Sequence, residues 1–294
     1  MRTRSLPARE RHDQSAIAAL DHCARLAREH YENFPVASLL LPRRLRQAVQ
    51  AIYAFARTAD DIADEKEHDG RRLEALLAWE EMLQRCVRGD AEHPVFVSLG
   101  LAFEQHHLPL EPFLDLLAAF RLDVTKTRHP DFESLLDYCR LSANPVGRLI
   151  LHLFGYRDAA LWPLSDSICT ALQLANHWQD VALDLERGRI YLPESDRLHH
   201  GVSEDALLAG RVDDAFRSLM REQIGRTRGL FEAGRPLCDR VRGRLRAELR
   251  LTWQGGWRIL ERIEDAGYDV FRRRPRLTSR DAGPILLRSV LWRR

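Results

Sequence analysis

Apolar and polar residues along this chain recur at helical spacing. Val, Ile, Thr and aromatic residues never alternate at period two over a length that predicts a strand. The thirteen prolines are unevenly spread and leave four windows free of them, 43–93, 164–192, 194–235 and 237–274. Long helices fit those windows, because an interior proline removes a backbone hydrogen bond and clashes with the preceding turn. The pattern predicts an all-α fold of about a dozen helices forming a single domain over residues 1–294, with loops near Pro35, Pro94, Pro109 to Pro112, Pro130, Pro163 and Pro193. No repeat at solenoid periods is present.

Two windows carry a polar stripe on an apolar helix. In Tyr53-Ala-Phe-Ala-Arg-Thr-Ala-Asp-Asp-Ile-Ala-Asp64, the residues Tyr53, Arg57, Asp60 and Asp64 fall at i, i+4, i+7 and i+11, on one helical face. Ala51, Ile52, Ala54, Phe55, Ala56, Ala59, Ile62 and Ala63 occupy most of the remaining circumference. A helix that is apolar nearly all round belongs inside a protein, so its polar stripe is expected to face an interior cavity. The second stripe lies in Gln173-Leu-Ala-Asn-His-Trp-Gln-Asp-Val-Ala-Leu-Asp184, where Gln173, Asn176, Asp180 and Asp184 fall at i, i+3, i+7 and i+11. A lone stripe of this kind is most simply a solvated face with its carboxylates paired to arginines. Two matched stripes point to chemistry instead. Four carboxylates facing one cavity would repel and raise one another's pKa unless cations neutralised them. Mg²⁺ suits such a site, because it takes oxygen ligands, keeps several waters, and binds through a few carboxylates plus substrate phosphates. A diphosphate would complete the metal shell and an apolar tail would fill the lining, which together describe an isoprenoid diphosphate.

Composition adds mainly exclusions. The apolar fraction of 45% is ordinary for a chain that buries a core, and a net charge of +2 gives no footprint of nucleic-acid binding. Five cysteines, odd in number and never spaced Cys-x-x-Cys, suggest neither a disulfide framework nor a zinc site, and point to a reducing compartment. None of the remaining histidines, His106, His107, His199 and His200 among them, has metal-ligand spacing, and they are read as surface or loop residues. The N-terminus lacks the apolar run of a secretory signal, and no stretch is long and apolar enough to span a bilayer. The expected location is cytoplasmic, or on a membrane surface without crossing it. Residues 271–294 differ from the rest, with eight arginines and a single acid, Asp281, interleaved with Leu286, Leu287, Val290, Leu291 and Trp292. Two readings of that segment stand: a solvated terminal helix packed on the domain edge, or an interfacial helix resting on anionic lipid.

The two Asp-x-x-x-Asp stripes resemble those of the squalene and phytoene synthase family, and the resemblance covers most of the chain. It includes His30-Tyr-Glu-Asn-Phe34, Tyr53 through Glu65, Phe120-Arg-Leu-Asp123, Tyr138-Cys-Arg-Leu-Ser-Ala-Asn-Pro-Val-Gly147, Gln173 through Asp184, and Glu186-Arg-Gly-Arg-Ile-Tyr-Leu-Pro193. The resemblance implies an isoprenoid synthase fold, a helical bundle around a central cavity, with Mg²⁺ held by Asp60, Asp64, Asp180 and Asp184. It further implies diphosphate contacts from Arg57, Arg187, Arg189 and Tyr191, and pocket roles for Phe34, Tyr53, Tyr138, Gln173 and Asn176, with Tyr138 also among the catalytic candidates. Phe34, Tyr53, Phe55 and Tyr138 are candidates for stabilising a carbocation through their ring faces.

Departures narrow the resemblance. The second motif reads Asn176-His-Trp-Gln-Asp180 where most of the family has Asn-Ile-Leu-Arg-Asp, so an arginine has become Gln179. Tyr31 replaces a common serine, and Ser142-Ala143-Asn144 stands where Val-Ala-Gly is usual. This pattern is similar to the hydroxysqualene synthase branch of bacterial hopanoid pathways, which turns presqualene diphosphate into hydroxysqualene. A substrate with one diphosphate needs less positive charge than two farnesyl diphosphates held together, which is the expected meaning of Gln179. The alternatives are a presqualene diphosphate, squalene or phytoene synthase that condenses two prenyl diphosphates, and a non-catalytic family member serving as an assembly protein. No Gly-x-Gly-x-x-Gly fingerprint appears that would support a reductive step. Pathway enzymes and a peripheral membrane contact are the expected partners besides the substrate.

Overall fold

The computed structural model describes residues 8–29 and 41–292. Among them the chain forms fifteen α-helices and no strand longer than one isolated parallel bridge, Arg128 to Ile190. The all-α expectation holds. The helices group into two compact units, residues 1–124 with 152–155, and residues 125–151 with 156–294.

The first unit contains α1 (Ala8–Glu29), α2 (Arg43–Asp64), α3 (Arg72–Val87), α4 (Pro94–His106) and most of α5 (Glu111–Thr125). Pro94 opens α4 and Pro112 sits in the first turn of α5, where a missing N–H costs nothing. α1 turns Ala19, Cys23 and Ala27 inward at i, i+4 and i+8 and packs on α2 and α4. The core is aromatic. Phe55 of α2 has its ring 5.4 Å from Phe113 and 6.1 Å from Trp79, which in turn lies 4.4 Å from Phe96. Phe55 is two positions from Tyr53, about 200° around the helix, so it faces away from the polar stripe. It is fully buried among these rings and is not a pocket residue, contrary to expectation.

The second unit contains α6 (Phe132–Ser142), α7 (Asn144–Leu153, as far as Leu151), α8 (Trp162–Gln179), α9 (Val181–Glu186), α10 (Glu194–His199), α11 (Glu204–Leu208), α12 (Asp214–Gly234), α13 (Leu237–Arg240), α14 (Gly243–Asp265) and α15 (Ser279–Leu291). α8 is its axis and packs against α6, α12 and α14. Two glycines permit the close approach. A Cβ on Gly234 would come within 2.5 Å of Ile168 Cγ1, and one on Gly256 within 2.5 Å of Phe231 Cζ and 2.6 Å of Leu172 Cδ2. Buried hydrogen bonds tie these crossings together. Trp178 Nε1 donates to Thr227 Oγ1 at 2.8 Å, Thr227 donates its own hydroxyl proton to Gln223 O, and Trp253 Nε1 donates to Phe231 O.

The C-terminal helix packs on the domain edge, the first of its two expected readings. Asp281 of α15 is buried and accepts from Arg258 and Arg262 of α14 and from Thr278, which holds its carboxyl well below the usual carboxylate range, Arg262 contributing most. Asp281, Ile285 and Ser289 form the inner face at i, i+4 and i+8. Leu286, Leu287, Val290 and Leu291 form an outer face and are all more than half exposed.

Candidate functional site

In the first unit the predicted stripe is one continuous helical face. Tyr53, Arg57, Asp60 and Asp64 are all half-buried along α2, while Ala51, Phe55, Ala59, Ile62 and Ala63 on the other sides are buried. Arg57 Nη1 donates to Asp60 at 3.0 Å and Nη2 to Asp61 at 2.5 Å, so this guanidinium straddles two carboxylates on successive positions. Burial raises the pKa of the Tyr53 hydroxyl, an effect opposed by Arg57 and reinforced by Asp60 and Asp61. Arg72 donates to the Asp64 carbonyl at 3.1 Å and pins the C-terminal end of the stripe. A larger hollow of about 320 Å³ in this unit, lined by Arg85, Asp90 and His93 among others, includes none of these residues. Phe34 lies outside the described residues.

In the second unit the stripe is not a single helix. α8 ends at Gln179, Asp180 takes φ −106° and ψ 13°, and α9 begins at Val181. Backbone bonds from Asp180 N to Asn176 O and from Asp184 N to Asp180 O, both 2.9 Å, carry the direction through the joint. Gln173, Asn176, Asp180 and Asp184 therefore remain on one half-buried face. After α9 the chain turns back at Gly188, whose φ of +75° is a left-handed conformation that glycine adopts without strain. The turn lets both Arg187 N and Arg189 N donate to the Asp184 carbonyl, at 3.1 and 2.8 Å, with Arg187 exposed and Arg189 half-buried.

Two features were missed by sequence reasoning. The first is Arg274. Its Nη2 donates to Asp180 Oδ2 at 2.9 Å and its Nε to Oδ1, a two-pronged pair whose side chains are about four-fifths buried. Beside it, the buried Gln179 donates its amide to the Pro275 carbonyl at 2.5 Å. The loss of the motif arginine therefore does not leave Asp180 without a cation. Gln179 anchors the segment that brings another arginine to it. Arg274 went unseen because it stood in an arginine-rich run read as a terminal surface.

The second is a buried aromatic cluster. The segment 127–130 runs beside 190–195, with Ile190 N donating to Thr127 O and Glu194 N to His129 O. This places His129, Tyr138, His177 and Tyr191 together. His177 stacks on Tyr191 at 3.7 Å between centroids and 18° between planes, and Tyr138 lies 5.5 to 6.0 Å from each of the other three rings. His129 and His177 are both buried, which for His129 corrects the reading as a surface or loop residue. Burial pushes His177 down to about 3, aided by His129 and Arg189, and His129 down to about 4, aided by Lys126. Both imidazoles are thus neutral near pH 7. The signal lay in position: His177 stands four residues after Gln173, beside its amide, at the edge of the polar stripe of α8. Asn144 is also buried, accepting from Thr170 Oγ1 at 2.9 Å rather than adding a polar group to an open pocket.

Comparison with known proteins decides the family. The squalene/phytoene synthase profile matches residues 7–281. The chain belongs to the squalene/phytoene synthase family. Relatives in this family include the hydroxysqualene synthase of Rhodopseudomonas palustris, 38% identical over 213 residues and 72% of either chain, and the 15-cis-phytoene synthase of Synechococcus elongatus, 31% identical over 286 residues and 92% of either chain. Among solved structures, squalene synthase HpnC from Alicyclobacillus acidocaldarius superposes with a TM-score of 0.81 at 44% identity, over 86% of this chain and 95% of that one. The family consists of enzymes that act on prenyl diphosphates with the help of a divalent metal. The donor set here fits Mg²⁺, since each stripe presents carboxylates at i and i+4 with no sulfur or imidazole between them on that face. Among the described residues no three His, Cys, Asp or Glu side chains converge as a preformed cage, so waters and substrate phosphates would have to complete the metal shell.

Proposed function

We propose that this enzyme converts presqualene diphosphate to hydroxysqualene with Mg²⁺. The observation that carries the finer reading is the match at 37–38% identity to two hydroxysqualene synthases, joined to the Asn176-His-Trp-Gln-Asp180 motif. Asp60 and Asp64 on α2, and Asp180 and Asp184 at the α8–α9 joint, would hold the metal, which supplies positive charge to the departing diphosphate. Arg57, Arg187, Arg189 and Arg274 add fixed cations for the same developing charge. The carbon–oxygen bond to the diphosphate breaks with its electron pair leaving on the phosphate oxygen, and the cyclopropylcarbinyl cation left behind opens and rearranges. Tyr53 and Tyr138 are the described candidates for stabilising that cation through their ring faces. Water then forms the new carbon–oxygen bond, and its surplus proton passes to the released diphosphate.

The phytoene synthase matches, at 31% identity over 92% of the chain, favour a second reading in which two prenyl diphosphates are condensed. Presqualene, farnesyl and geranylgeranyl diphosphates supplied one at a time separate the two. Turnover of presqualene diphosphate to a C30 alcohol is expected, while a C30 or C40 product from either of the others alone would establish the condensing reading.

Arg274→Ala is expected to lower kcat/KM for presqualene diphosphate by about 10- to 100-fold, with partial recovery in Arg274→Lys, because a preorganised cation on Asp180 is lost. Steady-state diphosphate release measures it.

A peripheral membrane contact through α15 is part of the same proposal. No helix among the described residues is long and apolar enough to cross a membrane. The outer face of α15 nonetheless exposes Leu286, Leu287, Val290 and Leu291, with Arg280 exposed at its rim and its one acid turned inward. Leu286→Glu combined with Val290→Glu is expected to abolish salt-sensitive cosedimentation with vesicles containing phosphatidylglycerol and to leave soluble turnover intact. Truncation after Val270 is a poorer test, since it also removes Arg274 and Pro275 from the second aspartate motif.

A further inference from the structure

The chemistry proposed above needs one ordered water, and the second unit contains a place for it. Beside the His177–Tyr191 stack is a cavity of about 10 Å³. That is close to the smallest space that holds a single water. His177, Asp184, Arg189 and Tyr191 form its polar wall, and Val181 and Leu185 are among the apolar residues that close it. We infer that this cavity binds the water that captures the carbocation, with His177 as the residue that positions it. The inference rests on the hydroxysqualene reading.

The surroundings favour water over an ion or a second substrate group. A neutral imidazole has one donor and one acceptor nitrogen; Gln173 takes one of them, and the other is the one a water can bond. Gln173 Nε2 lies 3.4 Å from His177 Nε2, so the amide fixes one ring nitrogen and the stack on Tyr191 fixes the ring plane. Burial keeps the ring uncharged, which spares the nearby cation an electrostatic repulsion. A benzene ring would serve the stack as well, but it would lack both the contact to Gln173 and a nitrogen to hold a water.

The balance at this step is simple. An oxygen lone pair of the water forms the bond to carbon, and the proton released goes to the diphosphate. Without a positioned water, the cation instead loses a proton from an adjacent carbon to the same diphosphate, giving a C30 hydrocarbon. The ratio of alcohol to hydrocarbon therefore reads the water site independently of the overall rate.

His177→Phe keeps the stack and removes the nitrogens. With presqualene diphosphate and Mg²⁺, gas chromatography with mass spectrometry is expected to show the alcohol-to-hydrocarbon ratio falling about tenfold, the scale of one lost hydrogen bond to the water. Tyr191→Phe, which keeps the stacked ring and removes the hydroxyl of a cavity-lining residue, is expected to move the ratio the same way by about threefold. Wild-type product ratios in both variants would overturn the inference. Failure of the wild-type enzyme to make the alcohol at all would instead overturn the hydroxysqualene reading, so the two failures are distinguishable.

Discussion

Asp184→Asn is expected to lower turnover of presqualene diphosphate by at least about 100-fold while the protein stays folded, because it removes a formal charge from a group proposed to anchor metal and leaving diphosphate. The fold should survive for a local reason. The backbone carbonyl of Asp184 accepts from Arg187 N and Arg189 N, and asparagine keeps that carbonyl and nearly the same shape. Asp60, Asp64 and Asp180 should show losses of similar size. For Asp60 and Asp180 the change also breaks an ion pair, with Arg57 and Arg274 respectively, so neutralising them is not simply a relief of like-charge repulsion. Diphosphate release together with a thermal melt separates the two effects.

The second large effect is one of packing. Trp178→Ala is expected to cost about 3–5 kcal/mol of stability, the range for emptying a large buried aromatic site. Trp178 is fully buried in α8, and its indole N–H donates to Thr227 of α12. Equilibrium urea unfolding of the wild-type and variant proteins gives the value. Trp178→Phe fills most of the volume and loses the hydrogen bond, so a smaller loss of about 1–2 kcal/mol is expected. The contrast with Asp184→Asn matters because both residues belong to the same motif. Along Asn176-His-Trp-Gln-Asp180, the half-buried Asn176 and Asp180 lie on the stripe, while His177, Trp178 and Gln179 are buried and face the interior of the unit.

Helical spacing made the first stripe legible in full, since Tyr53, Arg57, Asp60 and Asp64 needed only a continuous helix to share a face, and α2 runs unbroken to Asp64. The second was legible in its residues but not in its backbone. The joint at Asp180 accompanies tertiary contacts from far along the chain, Arg274 to Asp180 and Gln179 to Pro275, which no local pattern encodes. Phe55 was misjudged for a related reason. Its aromatic character suited a cation pocket, but helical phase put it on the opposite side from Tyr53, among Trp79, Phe96 and Phe113. His129 and His177 were passed over because spacing was tested only for metal ligation. Their burial depends on the pairing of 127–130 with 190–195, a contact between distant segments. The interior Pro284 of α15 likewise defies the rule that used prolines as helix limits.

The most direct test of the proposed reaction uses presqualene diphosphate, Mg²⁺ and NADPH in water enriched in oxygen-18. Hydroxysqualene carrying one oxygen-18 atom is the expected product, with no squalene formed. Squalene as the product, or an alcohol without the label, would contradict the proposed reaction.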